Sequence, residues 1–521
     1  MEIPKQQEAF NYQNKISGLF NNGLQSAIEN VLDETSLQDE VIRIDTLTLD
    51  LGIVDSQNFE KEFTGKLITA LKNAILKEKG HAGSEANMVI TRQAASHRDA
   101  FIYFLIHGTL PWYVSFKNMP AWQDELFTQW QQADWQYIAQ WIKEKHTPQV
   151  QNLQDYILKR LVLQFSHVFL ARLAEHMYSL IPGVIRFQAM EWRPLFNDLF
   201  YIAGKISSQN TPAENQEIWM NIFSVLLQEE KAAAEEEAII AKLIFKQIQT
   251  DTEQASSYLS SHENELLQHI EAPVVKEVIH KIAVAFNNKQ PNAVINDSAF
   301  LDIMRGYNTG NEFGQKGLSQ KGSEDYTIIE GGNSAENTPL LTKPFGSKDK
   351  QGGEEDIVYA SNCGLILLHP FLSAYFSDLG LLENKKFINI EAQQRAILLL
   401  FYLATGEKEA AEFNLVLQKI LCGYPLEDTL GTSLELSAKE TEESEQLLRA
   451  VIDYWPPLKN TSIAGFRDTF LQRSGKLSII QSGWLLRVEQ RTVDILLGKL
   501  PWGFSTIRLA WMQDTMNIEW A

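Results

Sequence analysis

Between Asn287 and Glu355 the chain changes character: glycine, asparagine, serine, lysine and aspartate dominate, with glycines at 310, 314, 317, 322, 331 and 332, and no apolar period is sustained. A segment of that composition buries too little apolar surface to offset the entropy of ordering it, so it reads as a flexible linker over 287–356. Folded structure must then lie on either side of it. The 521 residues, 44% of them hydrophobic, can supply several cores. The chain divides into a small α+β unit over 1–85, a helical domain over 86–286, the linker, and a C-terminal module over 357–521.

The stretch up to about Asn30 reads as helix. Val41 to Gly52 then alternates apolar and polar residues, with a change of parity between Ile44 and Leu47 that predicts a strand carrying a bulge or kink. Phe59, Phe63, Leu67, Leu71 and Ile75 recur every four residues and so share one stripe of a helix. From Arg98 to about Phe286 the pattern is helical almost throughout. Gly108-Thr109-Leu110-Pro111-Trp112-Tyr113 and Ile181-Pro182-Gly183 interrupt it. Residues 229–237, rich in alanine and glutamate, read as a solvated helix surface.

In the last module, helical patterns at 391–404 and 440–455 follow the apolar run Leu365–Leu368. Lys476–Ile480 and Trp484–Glu489, separated by Gln481-Ser482-Gly483, read as a β-hairpin, and Ser505–Leu509 and Met516–Trp520 as two more short strands. The predicted fold class is thus α+β and predominantly helical: a small N-terminal α+β unit, a central helical array, and C-terminal helices packed with a short antiparallel sheet.

A formal charge of −20, from 66 acidic against 46 basic residues, argues against nucleic acid or an anionic membrane as a partner. No apolar run approaches the ~20 residues of a membrane span, and the N-terminus lacks the apolar core of a secretory signal. With only Cys363 and Cys422, a disulfide framework is excluded and a reducing, cytoplasmic setting is expected.

No residue pattern points to catalysis, a cofactor or a metal. His369 precedes Pro370 at a helix start and reads as a capping or packing histidine. Gly317 and Gly322 are not followed by the Lys-Ser/Thr of a phosphate loop. The ten histidines are scattered without a metal-binding frame. Glu442 and Glu443 follow Ser437, an N-cap whose early acidic residues suit the helix dipole. The unusual feature is aromatic. Trp112, Trp484, Trp502, Trp511 and Trp520 stand in turn or strand contexts, where tryptophan either packs or anchors an interface, and they are the candidate protein-interface residues.

Several phrases carry a family resemblance. Gly364 to Phe371 (Gly-Leu-Ile-Leu-Leu-His-Pro-Phe), Leu400 to Gly406 (Leu-Phe-Tyr-Leu-Ala-Thr-Gly) and Leu417 to Pro425 (Leu-Gln-Lys-Ile-Leu-Cys-Gly-Tyr-Pro) come first. Lys459 to Ser462, Phe470 to Arg473 with Gly475 to Leu477, and Leu500 to Gly503 follow in order. Together they resemble the contractile injection system tape measure family, densely over 360–521 and more thinly at Ile44–Gly52 and Gly108–Trp112. The resemblance implies a structural, non-enzymatic component of a phage-tail-like particle that sets tube length or starts tube assembly. Its implied partners are inner-tube, baseplate or spike proteins, with self-association as a further mode.

Geometry restricts the ruler role. The longest unbroken helical pattern, 211–285, would span on the order of 110 Å at about 1.5 Å per residue, and no heptad register of apolar a and d positions persists. Two roles follow within the family: a short tape measure stretched during assembly, or a compact baseplate or tube-initiation adaptor; outside it, an unrelated helical scaffold and an enzyme of an unrecognised kind stay open.

Overall fold

A computed structural model describes residues 15–16, 18–19, 23–35, 40–44, 47–55, 58–80, 88–144, 151–180, 192–206, 212–228, 236–248, 252–287, 357–431, 434–480 and 483–520. The linker expected over 287–356 (apart from Asn287), the Ile181–Gly183 break and most of the expected solvated surface at 229–237 lie outside them. The chain falls into two compact units, Met1–Asp99 and Ala100–Ala521.

In the first unit, α1 (Gln25–Thr35) and α2 (Phe59–Gly80) pack together, and Lys72 on α2 pairs with Glu34 at 2.7 Å. The apolar stripe foreseen for α2 places Leu71 and Ile75 against Val31 of α1. β1 (Glu40–Ile44) pairs antiparallel with β2 (Met88–Arg92). The expected strand therefore stops at Ile44 instead of continuing through a bulge to Gly52. Leu47 and Leu49, in irregular chain, still pack on the same small core as Ile44, which accounts for the change in parity.

The second unit opens within α3 (Gln93–His107), which ends at the foreseen Gly108 turn. There follow α4 (Met119–Gln129), α5 (Gln132–Glu144), α6 (Gln151–Gln164), α7 (His167–Ser179), α8 (Trp192–Ile206), α9 (Pro212–Gln228), α10 (Glu236–Ile248), α11 (Thr252–Ser261), α12 (Glu263–His269) and α13 (Pro273–Asn287). Side-chain caps start several of these helices: Asn118 Oδ1 accepts from Ala121 N at 3.0 Å, and Ser166 Oγ from Phe169 N at 3.3 Å. An aromatic cluster of Phe101, Phe104, Trp122, Trp130, Trp135, Phe165 and Phe169 holds the first of them together.

The stretch 211–285 is not one rod. His262 separates α11 from α12, and Ile270–Ala272 separates α12 from α13. The second break is fixed from elsewhere in the chain: buried Asp198 on α8 accepts from the Glu271 and Ala272 amides, both at 2.8 Å, and so caps α13.

After β3 (Ile357–Ala360) come a 3₁₀ turn Cys363–Leu368, α14 (His369–Asp378), and the two-residue strands β4 (Leu382–Glu383) and β5 (Lys386–Phe387). Next are α15 (Ile390–Thr405), a 3₁₀ turn Glu412–Asn414, α16 (Val416–Leu421) and α17 (Ala438–Tyr454), which carries the foreseen Ser437 cap and a reciprocal bond from Glu440. The short helix α18 (Ile463–Phe466) and a π turn Arg467–Leu471 lead into β6 (Gly475–Ile480) and β7 (Gly483–Val488), the expected hairpin. β8 (Thr506–Ile507) and β9 (Thr515–Glu519) complete a five-stranded sheet of order β3-β6-β7-β9-β8.

The fold is α+β and predominantly helical, as the sequence indicates, but β7 and β9 run parallel, so this sheet is mixed. Its inner face is regular. Val358, Leu477, Leu486 and Ile518 are directly paired across four strands, and all are buried.

Candidate functional site

The most chemically loaded region of the second unit lies where the turn Glu412–Asn414 meets the helical array. Ala411 and Phe413 belong to the array's apolar core, and the Phe413 ring packs edge-on against Phe104 at 6.1 Å and Trp122 at 5.8 Å. Glu412 is carried with them into a fully buried position.

There its carboxylate meets two cations from different elements. Arg160 of α6 donates from Nε to Oε2 at 3.1 Å and from Nη2 to Oε1 at 3.4 Å, while Lys419 of α16 donates to Oε1 at 2.7 Å. Thr429 Oγ1 adds a bond to Oε2 at 2.8 Å, so the carboxylate's acceptor capacity is filled. The remaining donors are also met. Lys419 Nζ donates to the Leu426 and Asp428 carbonyls at 3.0 and 2.8 Å, and Arg160 to the carbonyls of Leu105, Ile106 and Glu427. Gln164, one turn after Arg160, receives the Glu412 amide at 3.1 Å and donates to the Leu430 carbonyl at 3.1 Å.

Burial acts to raise the Glu412 pKa, but the Lys419 and Arg160 charges outweigh it and hold the carboxyl below its ordinary value. Burial lowers the Lys419 pKa, with Glu412 resisting. The cluster is ionic and satisfied, which favours one docking geometry more than it adds stability. Gly108 makes room for it. Its φ is +71°, and a Cβ there would lie 2.7 Å from Glu412 Oε1 and 3.0 Å from Arg160 Nη2.

His107, the last residue of α3, is buried beside this cluster, and neither ring nitrogen has a hydrogen-bond partner among the described residues. Burial, aided by the Arg160 charge, lowers its pKa to about 4. In the unfolded chain the imidazole takes its proton near pH 6.5, so folding excludes a proton between the two values. Stability should therefore fall as pH drops from about 6.5 and level off near 4, by up to about 3 kcal/mol. His107→Leu should flatten that limb of a denaturant-midpoint titration and leave the neutral-pH midpoint no lower. An unchanged acid limb would refute the assignment.

The candidate interface tryptophans are placed as follows. Trp484, Trp502, Trp511 and Trp520 all belong to the apolar core of the C-terminal elements or pack on it, whereas Trp112 stands apart, 57% exposed and edge-on to Tyr113. Trp502 donates to the Leu367 carbonyl at 3.0 Å, Trp511 to that of Leu421 at 2.8 Å, and buried Trp520 to Asp494 Oδ2 at 3.0 Å. Trp484 lines an open depression at one end of the sheet.

His369 begins α14 with Nδ1 2.9 Å from the Ile366 carbonyl, and both cysteines are free and buried. Among the described residues no group of three His, Cys, Asp or Glu side chains could hold a metal, and no helix is long and apolar enough to cross a membrane. Sequence reasoning passed over Arg160, Gln164 and Glu412. The available signal was two polar residues, Arg160 and Gln164, on the stripe of α6 that also carries buried Ile157 and Leu161.

Four of the six ordered sequence phrases, those at 364–371, 400–406, 470–477 and 500–503, meet in space. Cys363 N donates to the Arg473 carbonyl at 2.8 Å, Gly364 abuts Phe470, Trp502 bonds Leu367, and Gln472 Nε2 donates to the Ala404 carbonyl at 3.2 Å. These phrases thus record one interlocked packing arrangement. No curated protein and no solved structure matches the chain. The family model described as contractile injection system tape measure protein matches residues 1–520, and the chain belongs to that family.

Proposed function

We propose that the protein works as a folded adaptor at the baseplate or at the first rings of the inner tube, and not as an extended ruler. Family membership makes it a component of a contractile injection particle, with partners among that particle's own proteins. The adaptor reading is carried by one observation: the helical array is clamped to the C-terminal elements through the Phe413 plug and the Arg160–Glu412–Lys419 cluster. Drawing the chain out along a tube would strip a buried carboxylate and two buried cations from one another. Among the described residues of 211–285 the longest helix has 17 residues, or about 25 Å, well short of a rod.

The reading predicts that deleting residues 290–350 leaves the length distribution of purified particles unchanged by electron microscopy. Particles that shorten in proportion to the deletion would establish the ruler instead.

A further inference from the structure

The family phrase Lys459–Ser462 stands mostly in solvent: Lys459, Asn460 and Ser462 are exposed and Thr461 is half-buried, so packing alone does not account for it. Lys459, Thr461 and Ser462 wall one side of a depression of about 540 Å³. The other side is the end of α17, through Arg449, Ile452 and Asp453, whose spacing puts them on one helix face. Ile463 and Ala464 complete the lining.

The chain has 66 acidic against 46 basic residues, yet two cations and one anion line this depression. Among the described residues neither Lys459 nor Asp453 forms an ion pair or a side-chain hydrogen bond. Arg449 donates from Nη2 to Glu445 Oε2 at 2.7 Å, one turn back on α17, and its other N–H groups are unbonded among those residues. Ser462 Oγ accepts from the Gly465 amide at 3.0 Å and the Thr461 hydroxyl is unbonded, which leaves both hydroxyl hydrogens to donate. The wall is also set in advance. Pro456 and Pro457 fix the backbone of a 3₁₀ turn Pro456–Leu458, and buried Trp455 before it donates to the Leu496 carbonyl at 3.2 Å. The Thr461 amide then bonds the Leu458 carbonyl at 2.7 Å, and the Phe466 amide that of Ser462 at 2.9 Å. A site whose backbone is already fixed loses little entropy on binding.

From these features we infer that the depression beside Lys459 is a docking site for an acidic segment of a protein partner. A glutamate or aspartate carboxylate takes hydrogen bonds from Lys459, Thr461 and Ser462, with the Arg449 charge facing it. An apolar neighbour on the same segment lies against Ile463 and Ala464. Asp453 sets the selectivity. Two cations against one fixed carboxylate suit a single negative charge, whereas phosphate, with about two at neutral pH, meets Asp453 as a like charge. The Asp453 oxygens instead accept from the backbone amides that a peptide brings and phosphate lacks. The net charge of −20 repels a polyanion, but at 0.15 M salt that field is screened beyond about 8 Å, so a short acidic segment responds to the charges beside it. The inference goes beyond the adaptor reading and does not depend on it, since a ruler would need the same anchorage.

The test presents the full-length protein to overlapping peptides tiled over the tube, baseplate and spike subunits of its own particle. Binding constants for any positive peptide are then measured by calorimetry. Peptides with glutamate or aspartate beside an apolar residue should bind. Lys459→Met, which keeps the stem and removes the charge, should weaken them about tenfold, the strength of one charge-assisted hydrogen bond. Thr461→Val, which exchanges a hydroxyl for a methyl group, should weaken them about threefold. Lys386→Met, on an exposed residue of β5 outside the depression, should not. Inorganic phosphate at matched ionic strength should displace the peptides from Asp453→Asn and not from the parent. Thermal melts of the variants matching the parent keep a folding defect from imitating the result. Binding confined to basic or uncharged peptides, equal binding by Lys459→Met, no binding to any tiled peptide, or displacement from the parent by phosphate would overturn the inference. None of these outcomes depends on particle length, so the linker deletion and this test fail separately.

Discussion

Glu412→Gln is expected to destabilise the Ala100–Ala521 unit by about 3–5 kcal/mol, because it leaves Arg160 and Lys419 buried and facing one another without an anion. The substitution conserves size and one acceptor oxygen, so the loss is electrostatic and not a cavity effect. The expected readout is a large fall in the urea midpoint with an unchanged slope. A second step separates registry from stability. Adding Arg160→Met and Lys419→Met to Glu412→Leu removes both orphaned cations and should recover part of the loss. It should not recover all of it, since the Leu105, Ile106, Leu426, Glu427 and Asp428 carbonyls lose their donors. A Glu412→Gln cost below about 1 kcal/mol would mean that water reaches the cluster and that it does not clamp the array.

That cluster also marks where sequence reasoning stops. Periodicity and capping are local, so α2, α15 and α17, the Gly108 turn, the Ser437 cap and the β6–β7 hairpin could all be read from neighbouring residues. Glu412, by contrast, is an acid between Ala411 and Phe413 in a stretch with no period. Its partners, 252 positions back on α6 and seven ahead on α16, are brought together only by tertiary packing. Arg160 was the legible half, as a charge at a stripe position. The four-residue strand β3 is too short to signal itself and finds β6 more than a hundred residues later. The parallel pairing of β7 with β9 is equally silent, because alternation reports which face is buried and not strand direction.

Within the expected helical array, where 211–285 was the longest stretch that could run unbroken, the positions of the breaks were illegible for a related reason. Apolar spacing runs on across His262 and Ile270–Ala272, and apart from Pro273 the group that ends the pattern is Asp198, on another helix. The family phrases succeeded because they encode tertiary contacts as well as local ones.

Gly364→Ala should have the second large effect, a loss of about 3–5 kcal/mol or failure to fold, although it adds a single methyl group. A Cβ at this position would overlap the Phe470 carbonyl, at 2.6 Å from its carbon and 2.8 Å from Leu471 Cα. All the atoms it meets are backbone, so no side-chain rotation relieves the overlap. Neither chain can retreat. Cys363, one residue earlier, is tied to the Arg473 carbonyl at 2.8 Å, its sulfur lies where a Cβ on Gly475 would go, and Phe470 packs on Trp455 at 4.7 Å. Relief requires the 3₁₀ turn Cys363–Leu368 to part from the π turn Arg467–Leu471, which carry two of the family phrases. Gly498→Ala, where nothing lies within 4 Å, is the matched control and should change stability by no more than about 0.5 kcal/mol. If thermal melts placed Gly364→Ala level with that control, the two turns would not be in contact in the folded protein, and the interlocked packing that unites the phrases would have to be abandoned.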